Sequence, residues 1–355
     1  MPMSRSLAIG CVLTLLAAPA ASAQLQLGEG VSVRFSGRVH TQFNTTSVSN
    51  QSSTETLIRR ARFSAEIRMN DLVSGKIEPD FGEGEITLKD AWLRLDFDRA
   101  FRVTFGQFKR PFDLFELTSS SQMLVVERAG GIRGIEACTG PGGVCSLSRF
   151  TEKLQFADRD IGIMVHGALG RGRVSYAAAA TNGTGANTDD ENGNKSFTGR
   201  LGVEVAPNVV VSGNVGVHDY LHLTSGLNRF ATAFGGDVEI GDFDGGLHVQ
   251  AGVVAGDNWR NPVGLEDAAN FVTVQGIVTY RFPIASPLLA AVEPLARVSW
   301  GDPDTAADAD DGVLFTPGLM LHVTGRNKLG VNVDIWSPST GDTEFSVKAQ
   351  SYFYF

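Results

Sequence analysis

The chain has 355 residues, 19% of them charged, with 41 glycines and a formal net charge of −9. That length fits one large β-barrel or two soluble domains. The acidic balance argues against nucleic acid as a partner. No run of roughly 20 apolar residues follows the N-terminal segment, which excludes a helical membrane protein.

The first segment reads as an export signal. Arg5 gives a positive start, residues 7–18 an apolar core, and Ala21-Ser22-Ala23 a small-residue cleavage site. Residues 1–23 are expected to be removed, leaving one barrel domain over residues 24–355. Cys11 falls in the removed part. Cys138 and Cys145 remain, an even pair close in sequence in an exported chain. They read as a loop disulfide, with two free thiols as the alternative. No His or acid stands around them at a zinc-like spacing.

From Val31 onward the chain alternates apolar and polar residues. Val31, Val33, Phe35, Val39 and Phe43 share one face; Arg34, Arg38, His40 and Gln42 share the other. Such a period of two makes a strand with one apolar and one polar face. Phe63, Ala65, Ile67 and Met69 oppose Arg60, Arg62, Ser64, Glu66 and Arg68. A weaker strand covers 73–81. Ala91, Leu93, Leu95 and Phe97 oppose Asp90, Trp92, Arg94 and Asp96, and Phe101, Val103 and Phe105 oppose Arg102 and Thr104. That strand breaks at 106–111 into a basic turn, Lys109-Arg110-Pro111, and alternation is lost until about Asp158. It resumes at Ile161 and recurs to the end of the chain, which finishes on Ser351-Tyr352-Phe353-Tyr354-Phe355. The count is about sixteen, an even number as in outer-membrane barrels.

The connections alternate in length. Those at 70–71, 98–100, 170–172, 206–208, 241–242 and 325–327 are tight. Those at 44–56, 109–159, 181–195, 255–270 and 301–312 are long, those at 219–228 and 337–342 medium, that at 283–288 moderate, and that at 82–85 short for an outer loop. Short periplasmic turns and long outer loops give this phase, and a soluble sandwich has no reason to keep it. The fold expected is therefore all-β: a transmembrane antiparallel β-barrel in the outer membrane, with its third outer loop, at 109–159, folded into the lumen. Trp300, Tyr280, Phe282 and Trp336 are candidates for aromatic girdles at the membrane surfaces.

The segment GQFKRPFD at 106–113 resembles the phosphate-selective porin O/P family, as do the Ser/Thr-rich stretch after it, Val126-Glu127-Arg128, and Arg159-Asp160-Ile161-Gly162. Residues 88–95 and Glu293-Pro294-Leu295-Ala296-Arg297 are similar to that family too. The resemblance implies a homotrimeric sixteen-stranded channel for phosphate or polyphosphate.

The polar strand faces would give the pore wall Arg34, Arg38, Arg60, Arg62, Arg68, Lys76, Arg94 and Arg102, with Lys109, Arg110, Arg128 and Arg133 added by the inward loop. Guanidinium groups in a narrow lumen attract anions and repel cations, and their planar forks suit phosphate. Glu66, Glu78, Asp80, Asp90 and Asp96 are expected on the same face, so pairing that leaves a weakly selective pore stands as the alternative. Asp113 and Glu116 lie close in sequence to Lys109 and Arg110. The acidic loop residues Asp189, Asp190, Glu191, Asp308, Asp310 and Asp311 are solvated, or bridge lipopolysaccharide through divalent cations. No cofactor or resident metal is expected. No nucleophile motif or phosphate-cradling glycine loop occurs, so the chain reads as a passive channel for small hydrophilic anions and not as an enzyme. A plugged barrel serving as adhesin or anchor is the reading from another class.

Overall fold

The structure, a computed structural model, describes residues 23–26, 30–48, 51–128, 146–190 and 193–355. Residues 1–22 of the expected export signal lie outside these, as do Arg133, Glu191 and the cysteines at 138 and 145.

The described chain forms one closed antiparallel sheet. Its first half contains β1 (Ala23–Gln26), β2 (Ser32–Val48), β3 (Gln51–Arg68), β4 (Val73–Asp80), β5 (Thr87–Asp96), β6 (Arg102–Lys109), β7 (Arg159–Leu169), β8 (Val174–Thr181) and β9 (Ser196–Ala206). The second half contains β10 (Val209–Leu221), β11 (Asn228–Ile240), β12 (Gly246–Val263), β13 (Asp267–Pro283), β14 (Ala291–Asp302), β15 (Gly312–Thr324), β16 (Asn327–Pro338) and β17 (Glu344–Tyr354). Each strand pairs with the next, and β17 pairs with β2 to close the ring. On β2, Tyr354 opposes Arg38 and Ala23 opposes Phe35. β1 and β17 thus follow one another in one stave, and the barrel has 16 staves.

The alternation fixes which side chains meet lipid. Phe43, Phe63, Leu93, Phe105, Ile163, Phe234, Val274 and Phe315 are exposed outward, while their neighbours His40, Gln42, Ser64, Thr104 and Gln275 are buried inward. Tyr280 and Phe282 stack at 4.4 Å near one rim, and Trp300 also faces outward. Trp336 departs from the expected girdle. It shares the inward parity of Asn332 and Asp334 and is 4% exposed.

Two connections expected to be long loops are mostly strand. The β2–β3 ladder continues to Val48 opposite Gln51, and the β12–β13 ladder to Val263 opposite Asp267. Beyond the hydrocarbon both strand faces meet water, so the apolar alternation disappears while the backbone pairing continues.

The described parts of the long connection after β6, residues 110–128 and 146–158, fold inside the barrel, as expected from the sequence. They contain two short helices, α1 (Leu114–Leu117) and α2 (Leu147–Lys153). Phe112, Phe115, Val126, Leu147, Phe150, Leu154 and Phe156 are buried against Ala231, Val254, Phe271, Leu295, Met320 and Tyr352 of the wall. The only extended apolar core of such a barrel is therefore the seat of this loop, among the described residues. Phe150 stacks on Phe271 at 5.0 Å, and Trp259 Nε1 donates to the Leu154 carbonyl at 2.9 Å.

Candidate functional site: a basic neck in the lumen

The loop is seated on the wall from β10 to β17, and among the described residues open space remains against β2 to β7. Two cavities occupy that space, of about 550 Å³ toward the short-turn side and about 340 Å³ above it. They share Arg38, Arg62, Lys76, Glu78 and Ser119, which form the neck between them. Three strands of the wall supply the charges and the inward loop supplies Ser119.

The cations of the neck are held by neighbouring carboxylates. Arg38 lies 2.7 Å from Glu78, Arg62 2.7 Å from Asp80, and Lys76 2.7 Å from Asp90 and 3.1 Å from Glu78. Arg159, at the start of β7, donates to Asp90 at 2.7 Å. Arg62 also donates across the lumen to Ser120 Oγ at 3.4 Å. The upper cavity is lined by Arg38, Arg60, Arg62, Lys76, Lys109, Arg128 and Arg159, against Glu78 and Asp90 as its carboxylates. Six of these seven cations have a carboxylate within 4 Å, because Asp80, Glu116 and Glu127 behind the lining pair with Arg62, Arg128 and Arg60, and Lys109 is held by backbone carbonyls.

Arg60 is 4% exposed and reaches Glu127 at 3.2 Å. Its neighbour Arg59, which strict alternation would send outward, reaches the same carboxylate at 2.6 Å and Glu83 at 2.7 Å. The reason is a bulge: His40 pairs with Arg60 and Thr41 with Ile58, leaving Arg59 as the extra residue. A bulge re-aims a side chain in this way, and the Arg59-Arg60 doublet was the sequence signal that alternation had slipped. Burial works against ionisation of Glu127, but Arg59 and Arg60 outweigh it and hold its carboxyl down to about 2.

The remaining candidates fall into two groups. Arg34, Arg68, Arg94 and Arg102 lie toward the short turns. Arg34 pairs with Glu66 at 2.8 Å, and Arg94 and Arg102 both reach Asp96, at 3.0 and 3.1 Å. Arg68 is exposed beside Asp71, Asp98 and Arg102 around a separate hollow. Lys109, Arg110 and Arg128 hold the loop's backbone. Lys109 donates to the carbonyls of Glu116 and Thr118, and Arg128 to those of Phe115 and Thr118, both at 2.7 Å. Arg128 also pairs with Glu116 at 2.8 Å. Arg110 is 2% exposed and donates to the Ala157 carbonyl at 2.9 Å, so it lies in the loop's seat and away from both cavities. Asp113 caps α1 through Phe115 N and accepts from Thr151 of α2 at 2.7 Å, tying the two helices together. Burial pushes its carboxyl up to about 7.

A closed barrel with a lipid-facing apolar belt and an inward loop that narrows a charged lumen is an outer-membrane porin. Solved structures of that kind share the fold. The anion-selective porin from Comamonas acidovorans has a TM-score of 0.65 at 12% identity, covering 92% of this chain and 100% of that one. The outer membrane channel DcaP of Acinetobacter baumannii has a TM-score of 0.61 at 15% identity, covering 94% and 100%. The trimer form of in-vitro folded OmpT of Vibrio cholerae has 0.55 at 13%, covering 91% and 100%. None of the curated proteins matches by sequence. The model of the phosphate-selective porin O and P family matches residues 33–233, and the chain belongs to that family.

Proposed function

We propose that this outer-membrane channel is a passive, anion-preferring porin whose solutes include phosphate-like oxyanions. The observation that carries this reading is the upper cavity, where seven basic side chains converge beside a serine-lined loop and one of them, Lys109, is held by carbonyls in place of a carboxylate. Fixed positive charge in a narrow lumen favours anions, and the forked donors of Arg38 and Arg62 suit oxyanions. Transport is diffusion down a gradient. The similarity in fold to the trimer form of OmpT supports a homotrimer. Residues 1–23 are read as a cleaved export signal, with Gln24 starting the inserted protein.

The test is the reversal potential of purified channels in planar bilayers across a KCl gradient, followed by phosphate titration of the chloride current. The expected result is anion preference with block by phosphate, and weaker block after Lys76→Gln or Arg38→Gln. Cation preference would overturn the reading, and absence of conductance would favour a plugged barrel. The ion pairs around Glu78, Asp80 and Asp90 favour a second reading, a weakly selective diffusion pore, for which the reversal potential would lie near zero.

A further inference from the structure

Two segments that resemble the family, Val126-Glu127-Arg128 and Glu293-Pro294-Leu295-Ala296-Arg297, are far apart in the chain and meet in the structure. Arg297 points inward from β14 and is 0% exposed. Its NH1 donates to the backbone carbonyls of Glu127 at 3.0 Å and Arg128 at 2.8 Å. The other edge of the same guanidinium is held by Thr316 Oγ1, at 3.1 and 2.9 Å, and by Asp334 at 2.9 Å. Asp334 is in turn fixed by Lys348. A planar fork gripped along one edge aims its remaining donors in a set direction. Here that direction is the stretch of loop behind the upper cavity: the buried Glu127 pairs with Arg59 and Arg60, and Arg60 and Arg128 line that cavity.

We propose that Arg297 is a positioning residue for anion passage, clamping the backbone at Glu127–Arg128 so that the cations these residues hold keep their places in the lumen. The proposal rests on the anion-preferring reading above. The barrel does not need the clamp to close, because the ladders of β14 with β13 and β15 run on either side of Arg297. Removing one partner of a buried ion pair is strongly destabilising when it strands the other charge, but Asp334 keeps Lys348 and Thr316 as partners. What an apolar side chain cannot supply is the pair of donors to the two loop carbonyls.

The experiment compares wild type, Arg297→Met and Arg297→Lys in planar bilayers, with heat-modifiable migration on gels to report folding. Both variants are expected to fold. Arg297→Met should lower the anion-to-cation permeability ratio about fivefold, the factor for one unit charge moved away from about 4 Å in water, and raise open-channel current noise. Arg297→Lys should recover part of the ratio, because an ammonium still reaches one carbonyl. A wild-type ratio and quiet current in folded Arg297→Met would overturn the clamp. Failure of both variants to fold would overturn it too, since the role would then be support of the barrel itself. Wild type without anion preference refutes the underlying reading instead, and the noise of Arg297→Met then decides the clamp alone.

Discussion

Glu78 is the carboxylate common to both cavities, and Glu78→Gln is the sharpest single perturbation of the neck. Its carboxylate lies 2.7 Å from Arg38, 3.1 Å from Lys76 and 3.5 Å from Arg62. The substitution removes one negative charge at the neck shared by the two cavities. At about 4 Å a unit charge contributes about 1 kcal/mol in water and about 4 kcal/mol at an effective dielectric of about 20. Taking the water value as the lower bound, the anion-to-cation ratio should rise about fivefold. The opposing effect is on folding. Breaking a buried pair costs about 3–5 kcal/mol when it strands an uncompensated charge. Arg62 keeps Asp80 and Lys76 keeps Asp90, both at 2.7 Å. Arg38 loses its ion pair but lines both cavities, where solvent or a passing anion can solvate it. Selectivity should therefore move more than stability. The assay is the reversal potential across a KCl gradient on protein shown to be folded by heat-modifiable migration. A folded variant with unchanged or reduced anion preference would refute the reasoning, because the neck charge would then not govern passage.

Two further outcomes follow from the backbone and from burial. Gly106, first residue of the family-like segment, has φ +117°, and a Cβ there would lie 2.3 Å from the Ala91 carbonyl oxygen. Gly106→Ala should destabilise by about 2–5 kcal/mol, combining the left-handed penalty with overpacking. It should lower the temperature at which the folded band is lost on gels, and an unchanged temperature would count against the strained geometry. Asp113 should make the inward loop pH-sensitive. Its folded carboxyl lies at about 7, raised by burial and further by Glu116 and Asp237, against about 3.9 unfolded. The contribution is full below about pH 4 and is lost as pH rises through about 7, about 4 kcal/mol in all. Amide exchange in α1 and α2, corrected for intrinsic rate, should therefore be faster at pH 8 than at pH 5. Asp113→Asn should abolish that difference; its persistence would place the sensitive group elsewhere.

Much of the architecture could be read from the residues because a barrel wall imposes a period of two that few other folds keep for so long. The ends of β6 and β7 at Lys109 and Arg159 coincide with the expected edges of the third loop, since a charged turn and a charged re-entry flank the stretch without alternation. The strands above the membrane were hidden, as at 44–56, because polar residues on both faces look the same whether paired or looped. Pairing of Arg38, Arg62 and Arg94 with wall acids was anticipated only as an alternative, since parity places charges on a face and does not say which are within 4 Å. Arg59 was missed for a related reason. One extra residue on β3 changes the parity locally, and only the doublet hints at it. The seat of the loop was hidden as well, because Phe112, Phe150 and Phe156 follow no strand period and find partners far away in sequence.

Ion pairing by itself does not decide between a selective and an indifferent pore; the kind of partner matters. Asp113 and Glu116, the acids nearest Lys109 in sequence, each have another partner at closest range. Asp113 is spent on Phe115 N and Thr151, and Glu116 on Arg128. Lys109 is held instead by the carbonyls of Glu116 and Thr118, and Arg128 takes those of Phe115 and Thr118 in addition to its carboxylate. A carbonyl dipole fixes a cation in place while leaving its unit charge uncancelled, whereas a carboxylate fixes it and cancels the field at a distance. The inward loop thus places backbone acceptors where they hold cations at the upper cavity, while the wall acids Glu78 and Asp90 pair with Arg38, Lys76 and Arg159. On the anion-preferring reading proposed above, Lys109, held by loop carbonyls, is the cation of the upper cavity that an entering anion meets without a carboxylate within 4 Å, among the described residues.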